Sequence, residues 1–380
     1  MPPHDTSNEK QAELILALHA SPRRAVLAVT GGGSGALSTL LKTPGASATV
    51  LEAVVPYAAE SLSRWIGGPP EQSCSERTAR AMAMRSFEQA RSLDHGSPHD
   101  LIGLGCTASL ATDREKRGDH RIHLATQTAT ETKSLSLKLD KGALTREQEE
   151  AIAEHAVIAL LADAAGVKPI DLTKTPPGIE PTSDSHTAPR AWTDLLLGEQ
   201  DNALVTRDMV EHPICLLPGS FNPTHEGHRA MASVAERRLD RQVVFELSMA
   251  NVDKPLLDFI ELRNRIETLG DMPAMLTRAA TFVEKARVVP GCAFAVGADT
   301  AVRIGDPRYY NDSHDRRDAA LAEIGELGCR FLVFGRKEGK RFVGLEDLGL
   351  SPALESLCEG VSEQEFRVDM SSSELREAGD

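Results

Sequence analysis

Two histidines stand three residues apart in PGSFNPTHEGHRAM, residues 218–231. An apolar run precedes this stretch and a run with helical spacing follows it, so a strand, a turn and a helix are predicted in succession. His225 and His228 would then lie at the carboxyl end of a strand, where open α/β sheets usually bind ligands. A helix N-terminus there attracts phosphate oxygens, and two imidazoles can donate hydrogen bonds to the charge that builds up in a transition state.

Two other interpretations of the histidine pair stay open. One is a metal site, which is weaker because zinc on a helix usually takes His at i and i+4 plus a further ligand, and the chain has no HExxH motif or cysteine cluster. The other is an ordinary surface, on which this spacing is common. The six cysteines are dispersed, which is typical of reduced thiols rather than of disulfides or a zinc site. We therefore expect no metal held by the protein alone.

Length and composition narrow the function classes. A chain of 380 residues predicts two or three domains, and a formal charge of −14 argues against nonspecific binding to nucleic acid or anionic membrane. No apolar run approaches the roughly 18–20 residues that span a bilayer. The start, MPPHDTSNEKQ, lacks the features of a signal peptide. We expect a cytoplasmic protein with small-molecule substrates, and self-association is left open.

Apolar strand-like runs alternate with helical spacing in two regions of the chain. The first, residues 1–167, predicts an α/β domain that includes paired strands in RIHLATQT and TKSLSLKL. Pro, Ser and Thr then dominate, so residues 168–200 are predicted to be a linker. The alternation resumes over residues 201–380, which predicts a second α/β domain.

The second region resembles the HxGH nucleotidyltransferase superfamily, and most closely the nicotinate/nicotinamide mononucleotide adenylyltransferases. GSFNPTHEGH (219–228) is similar to the GxFxPxHxGH opening of that family, and FAVGADT (294–300) to its GxD element. FLVFGRKEG (331–339) resembles the following strand that ends in Arg, and MSSSELR (370–376) the closing ISSTxIR motif. The resemblance implies a Rossmann-like parallel sheet and nucleotidyl transfer from ATP.

The resemblance also implies roles for individual residues. His225 and His228 would contact the ATP phosphates and stabilise charge there, while Ser372, Ser373 and Arg376 would hold the departing pyrophosphate. ATP binding would further involve Gly219, Ser220, Phe221, Lys254, Gly297, Asp299 and Arg336. Arg265 matches the arginine that opens the RxxML helix of the family. Mg²⁺ would arrive bound to ATP, with few protein ligands.

Several of these residues also have ordinary structural interpretations. Asp299 could only cap the next helix, and Arg336 and Lys254 could be solvated side chains. MSSSELR by itself could be an N-capped terminal helix.

The acceptor of the nucleotidyl group stays open at this point. The mononucleotide adenylyltransferases typically stack the pyridine ring on an aromatic residue, often a Trp shortly after the GxD element, whereas Trp65 and Trp192 both precede the second region. Tyr309 or Tyr310 could substitute. The favoured acceptor is nicotinamide or nicotinate mononucleotide. Another phosphorylated acceptor, or a nucleotide sensor without catalysis, is the alternative.

The first region contains a glycine-rich stretch, TGGGSGALSTLLKTPGAS (30–47), that fits neither a dinucleotide fingerprint nor a P-loop. It resembles the C-terminal domain of the CinA family, the nicotinamide-nucleotide amidohydrolases, through LAVTGG, TPGAS and VVPYAAESL. The nucleophilic Ser of that family falls on Ala28 and its Lys on Leu62, so of its reacting groups Tyr57 remains. Ser34 could replace the nucleophile or only begin a helix. We therefore expect a catalytically silent domain that keeps a pocket near residues 30–33 or serves in assembly.

Overall fold

Two compact units divide the chain in the computed structural model, which describes residues 6–113, 118–172, 175–205, 210, 212–250, 256–339 and 341–366. The first unit comprises Met1–Thr193 and Asp253–Glu261, and the second Asp194–Val252 and Leu262–Asp380. Each unit is built on its own sheet with helices around it. The prediction of two α/β domains is therefore confirmed.

The sheet of the first unit joins a parallel half to an antiparallel half. Its strands are β1 Arg24–Thr30, β2 Val50–Val54, β3 Leu101–Ser109, β4 His120–Gln127, β5 Glu131–Leu139 and β6 Ile179–Thr187. They lie in the order β2-β1-β3-β4-β5-β6. β1 pairs in parallel with β2 and β3, and the remaining pairs are antiparallel. The predicted pairing of RIHLATQT with TKSLSLKL is the β4–β5 pair.

Helices cover this sheet where the sequence has helical spacing. They are α1 Thr6–His19, α2 Gly35–Lys42, α3 Ala46–Thr49, α4 Ala59–Ile66, α5 Glu76–Leu93 and α6 Arg146–Ala164. The Ser75 hydroxyl caps α5, and Thr145 with Gln148 forms a capping box at the start of α6. Apolar residues of α6 pack with those of β1, β3 and β5 in one large buried cluster. The unit thus has a core that holds the turn after β1 in place.

The segment expected to be a linker is largely regular in structure, so that expectation needs a correction. Within residues 168–200, β6 pairs with β5 along its whole length, and α7 spans Arg190–Leu197. β6 is the edge strand of the sheet and its side chains are mostly exposed. An edge strand needs only backbone pairing on one side and tolerates a residue such as Pro181. Polar composition was therefore a poor guide to chain conformation here.

The sheet of the second unit is parallel except at one edge. Its strands are β7 Asn202–Leu204, β8 Cys215–Pro218, β9 Val243–Ser248, β10 Ala274–Thr277, β11 Ala293–Gly297, β12 Arg330–Phe334 and β15 Cys358–Val361. They lie in the order β15-β12-β11-β8-β9-β10-β7. β7 pairs antiparallel with β10. A separate hairpin joins β13 Arg336–Glu338 to β14 Arg341–Val343.

The helices of the second unit lie between successive strands, as expected for a parallel sheet. They are α8 Glu226–Leu239, α9 Phe259–Leu269, α10 Phe282–Val288, α11 Ala298–Gly305, α12 His314–Glu326 and α13 Pro352–Glu355. From β8 the chain first adds β9 and β10 on one side, and then adds β11, β12 and β15 on the other. The strand order therefore reverses between β8 and β11, which is where such sheets form a binding crevice.

In the described part of the chain, no helix is both long enough and apolar enough to span a bilayer.

Candidate functional site

The candidate site lies where the carboxyl ends of β8 and β11 meet in the second unit. β8 ends at Pro218 and leads into the predicted phosphate loop, and β11 ends at Gly297 and leads into α11. The two strands are direct parallel neighbours. The GxF motif and the GxD element therefore emerge from neighbouring strands at the reversal point, as the parallel-sheet prediction requires.

Phe221 anchors the loop that follows β8. Its side chain is 1% exposed, and its ring packs against the rings of Phe245 and His228 at centroid distances of 5.3 and 5.1 Å. Its φ of +44° is uncommon for a bulky residue and is maintained only where the surroundings enforce it. A Cβ on Gly219 would lie 2.6 Å from this ring, so a larger residue at position 219 would have to displace the buried ring. Any ligand contact from Phe221 would therefore use its backbone.

Helix α9 holds the same loop from the other side. The Arg265 guanidinium is buried and donates to the Ser220 carbonyl oxygen at 3.1 Å. The Thr268 hydroxyl lies 2.9 Å from the Thr224 hydroxyl and 3.3 Å from the Phe221 carbonyl oxygen. The matched arginine of the RxxML helix thus has a structural contact to the loop. Thr268 occupies the fourth place of that pattern, where the pattern has Met, and its contacts to the loop were not predicted from the sequence.

The two histidines form the N-terminal cap of α8. His225 is the N-cap residue, and its Nδ1 accepts from the Gly227 N–H at 3.1 Å. His228 Nδ1 accepts in turn from the His225 N–H at 3.2 Å. The rings stack at 3.7 Å between centroids. Because each Nδ1 is an acceptor, each neutral ring carries its proton on Nε2.

Burial keeps both rings in the neutral form. Desolvation lowers the pKa of His225, and desolvation together with the neighbouring His225 lowers the pKa of His228 to about 4. At neutral pH both imidazoles are therefore uncharged donors through Nε2–H rather than cations. Donors of this kind, at a helix N-terminus, suit oxygen atoms that carry negative charge.

Asp299 and Arg336, two residues predicted from separate motifs, are brought together. Gly297 is the N-cap residue of α11, and Asp299 lies in the first turn of that helix. The Arg336 Nη1 donates to Asp299 Oδ2 at 2.5 Å, and both side chains are about half exposed. β11 and β12 pair at Gly297 and Phe334, which places the residues after them side by side. A nucleotide at this edge could meet both charges.

A buried ion pair beneath the loop was not predicted. Lys285 Nζ donates to both Glu246 carboxylate oxygens, at 2.7 and 2.8 Å, and to the Ala279 carbonyl oxygen at 2.9 Å. The Glu246 carbonyl oxygen accepts from the Gly219 N–H at 3.0 Å. The pair therefore fixes β9, the neighbouring strand to which the first residue of the loop is hydrogen-bonded. Its two members lie far apart in sequence, so no local motif reveals it.

Four predicted residues lie outside the described part of the chain: Lys254, Ser372, Ser373 and Arg376. Their roles stay predictions. Tyr309 and Tyr310 lie in a 3-10 turn after α11, where the Tyr309 hydroxyl accepts from Arg303 Nε at 3.1 Å. Within the described ranges, no group of three or more His, Cys, Asp or Glu side chains is arranged to hold a metal ion.

The first unit has its own cavity of about 830 Å³ beside the glycine-rich turn. Its lining includes Tyr57, which is 72% exposed, and several residues of α6. Glu150 Oε1 accepts from the Gly33 N–H at 2.8 Å and the Ser34 N–H at 3.0 Å. The backbone donors at the start of α2 are thus taken up by a carboxylate of the same unit. Sequence reasoning found the turn but missed Glu150.

Two positions that the motif resemblance aligns with the nucleophilic Ser and the Lys of the CinA family, Ala28 and Leu62, are apolar and buried in this unit. Ala28 is fully buried and Leu62 is 2% exposed, and both belong to one small apolar cluster. The Ser34 hydroxyl lies 3.4 Å from Glu150 Oε1, at the N-terminus of α2.

Residues 216–378 match the model of the family described as cytidylyltransferase-like. The second domain is therefore a nucleotidyltransferase-like domain. The search of curated protein sequences found no match to the chain.

Solved structures of competence/damage-inducible and CinA superfamily proteins are similar to about two fifths of the chain, 41–42% in the three examples that follow. The competence/damage-inducible protein CihA of Agrobacterium tumefaciens is 18% identical, with 41% of this chain and 94% of that chain covered and a TM-score of 0.34. A CinA superfamily protein of Escherichia coli is 17% identical, with coverages of 42% and 91% and the same TM-score of 0.34. A competence or damage-inducible protein of Enterobacter asburiae is 19% identical, with coverages of 42% and 98% and a TM-score of 0.33.

Proposed function

We propose that the cytidylyltransferase-like domain of this chain, residues 216–378, transfers an adenylyl group from ATP to a pyridine mononucleotide and releases pyrophosphate. The observation that carries the proposal is the pair of stacked imidazoles at the N-terminus of α8. Backbone N–H groups bond to Nδ1 of both rings, so each neutral ring carries its proton on Nε2 and can act as a hydrogen-bond donor through that atom.

In the proposed reaction, an oxygen of the acceptor phosphate attacks the α-phosphorus of ATP. The bond from that phosphorus to the bridging oxygen breaks, and the electron pair leaves with pyrophosphate. His225 and His228 would donate from Nε2–H to phosphate oxygens whose negative charge increases during the displacement. Neutral donors avoid the loss of a proton to the substrate. Catalysis would then consist of positioning and electrostatic stabilisation, without a covalent intermediate.

Other residues would hold the remaining parts of ATP. Asp299 and Arg336 lie at the end of the neighbouring strands, where a carboxylate suits the ribose hydroxyls. By resemblance, Ser372, Ser373 and Arg376 would bind the departing pyrophosphate, and Lys254 would contact phosphate. Mg²⁺ would enter with ATP as part of the substrate. The choice of a pyridine mononucleotide is supported by the motif resemblances of both regions of the sequence.

An acceptor panel tests this proposal. Pyrophosphate release from ATP is measured with nicotinamide mononucleotide, nicotinate mononucleotide, phosphopantetheine and simple phosphorylated alcohols. We expect turnover with one or both pyridine mononucleotides. Turnover with only another acceptor would reassign the substrate, and ATP binding without turnover on any acceptor would indicate a nucleotide sensor.

A further inference from the structure

The loop between β8 and α8 is held in an unfavourable backbone conformation. Phe221 has a φ of +44°, which is energetically unfavourable for a residue other than glycine. Surrounding contacts must offset that cost if the loop is to keep one conformation. The apolar packing of the Phe221 ring is one such contact. The polar contacts of α9 are another, and they reach the backbone itself.

Thr268 makes several of these polar contacts with one hydroxyl group. Its oxygen lies 2.8 Å from the Arg265 carbonyl oxygen and 3.3 Å from that of Phe221, and it can donate its single hydrogen to either. The Thr224 N–H donates to it at 3.3 Å, and the Thr224 hydroxyl lies 2.9 Å away. A hydroxyl offers one donor and two acceptor positions, so these contacts use the whole hydrogen-bonding capacity of the Thr268 hydroxyl.

Thr224 directly precedes His225, the N-cap residue of α8, so a contact that holds Thr224 also affects the position of the cap. His225 is the N-cap residue, and its own N–H bonds to the second imidazole. The ring of His228 also contacts the Phe221 ring edge-on at 5.1 Å. The orientation of both imidazoles therefore depends on Thr224 and Phe221, the two loop residues that the Thr268 hydroxyl contacts.

We propose that Thr268 is a positioning residue: by holding Thr224 and Phe221, its hydroxyl keeps the two imidazoles oriented for phosphate oxygens. This inference rests on the proposed function of the histidine pair. It assigns a role to one hydroxyl that ordinary packing would not need, since valine has the same shape. Thr268→Val would leave the Thr224 N–H without its acceptor and the Thr224 hydroxyl without its hydrogen-bond partner at a half-buried position, which is costly. Thr268→Ser would retain the acceptor.

The free protein provides a first test by NMR of ¹⁵N-labelled histidine side chains in the full chain. In the wild type we expect single signals for an unprotonated Nδ1 and a protonated Nε2 in both rings. Thr268→Val should give mixed tautomers or broadened signals for His225 and His228, and Thr268→Ser should restore the wild-type spectrum. Unchanged ring signals in Thr268→Val would overturn the inference.

Steady-state kinetics with ATP and the best acceptor provides a second test. We expect Thr268→Val to lower kcat about 10-fold, as for the loss of roughly one net hydrogen bond, with a smaller change in KM for ATP. The matched control is Thr281→Val, which removes a threonine hydroxyl that caps α10. It should lower the melting temperature and leave kcat unchanged. An equal loss of kcat in the control would mean that general destabilisation explains both variants, which overturns the inference.

His228→Ala separates failure of this inference from failure of the proposed function. If His228→Ala weakens turnover and Thr268→Val has no effect on turnover or on the ring signals, the positioning role is wrong and the phosphate role stands. If His228→Ala leaves turnover unchanged, the phosphate role fails. The orientation of the rings by Thr268 is then still decided by the NMR comparison.

Discussion

Both domains place a strand, a turn containing glycine and a helix in succession, but they satisfy the helix N-terminus in opposite ways. In the first domain, a carboxylate of α6 accepts the N–H groups of Gly33 and Ser34. In the second, imidazole Nδ1 atoms accept the N–H groups of His225 and Gly227. A carboxylate presents only acceptors to an incoming ligand, whereas a neutral imidazole bonded at Nδ1 presents a donor at Nε2.

This difference shows why similar backbone geometry does not predict similar ligands. We call the turn between β1 and α2 the first corner and the turn between β8 and α8 the second corner. The positive end of a helix dipole favours anions in either corner. In the first corner Glu150 is already there, so a phosphate would meet a fixed negative charge. In the second corner the capping groups are neutral and add donors to those of the helix. The side chain that completes the cap therefore decides whether the corner suits phosphate.

The largest expected effect comes from removing the donor in the second corner. His228→Ala should lower turnover about 10²–10³-fold, because one donor to the transition-state charge is lost. The measurement is pyrophosphate release from ATP under saturating acceptor. His314→Ala, which removes an exposed histidine at the start of α12, is the matched control and should leave turnover unchanged. Unaltered turnover in His228→Ala would remove the phosphate role of the pair.

The cap of the first corner should matter for stability instead. Glu150→Ala should lower the free energy of unfolding of the first domain by about 1–2 kcal/mol, because the Gly33 and Ser34 N–H groups lose their acceptor. Denaturant unfolding of the full chain measures this change. Glu150→Gln keeps an acceptor oxygen and should cost less, and Glu147→Ala, an exposed change on the same helix, should cost little. Equal stability of Glu150→Ala and wild type would mean that the cap contributes nothing.

The pH dependence of stability should reflect the neutral imidazoles of the second corner. The folded state depresses the pKa of His228 to about 4, below the ordinary value of 6.5. Between these values the unfolded chain binds more protons than the folded one, so stability falls as the pH drops from about 6.5 towards about 4. Thermal unfolding at pH 7 and pH 5 tests this. His228→Asn removes the titrating ring and should reduce the difference between the two pH values; an identical difference would contradict the depressed pKa.

The smallest expected signal is amidohydrolase activity of the first domain. The full chain should release no ammonia from nicotinamide mononucleotide above background, because Ala28 and Leu62, which the motif resemblance aligns with the nucleophile and lysine of the CinA family, are apolar and buried. Tyr57→Phe should accordingly make no difference. Ammonia release that Ser34→Ala abolishes would instead identify Ser34 as a replacement nucleophile.

Much of the second domain could be predicted because its signals are local. The apolar run before Gly219 and the helical spacing after His225 predicted β8 and α8, and the order of motifs predicted a parallel sheet. The linker prediction failed at β6 because an edge strand can be polar and still pair through its backbone. Glu150, Thr268 and the Glu246–Lys285 pair were missed because each acts on a partner distant in the sequence.

The sequence by itself determined two α/β domains, the strand–turn–helix corner around His225 and His228, and the apolar identity of Ala28 and Leu62 in the CinA-like motifs. These follow from periodicity, from turn residues and from residue identities, all of which are properties of neighbouring positions. The tertiary structure alone decided that Asp299 meets Arg336, that α9 holds the loop between β8 and α8, and that Glu150 fills the first corner. Such contacts depend on which strands and helices become neighbours, and a carboxylate or hydroxyl acquires its role only from the groups that packing brings within hydrogen-bond distance.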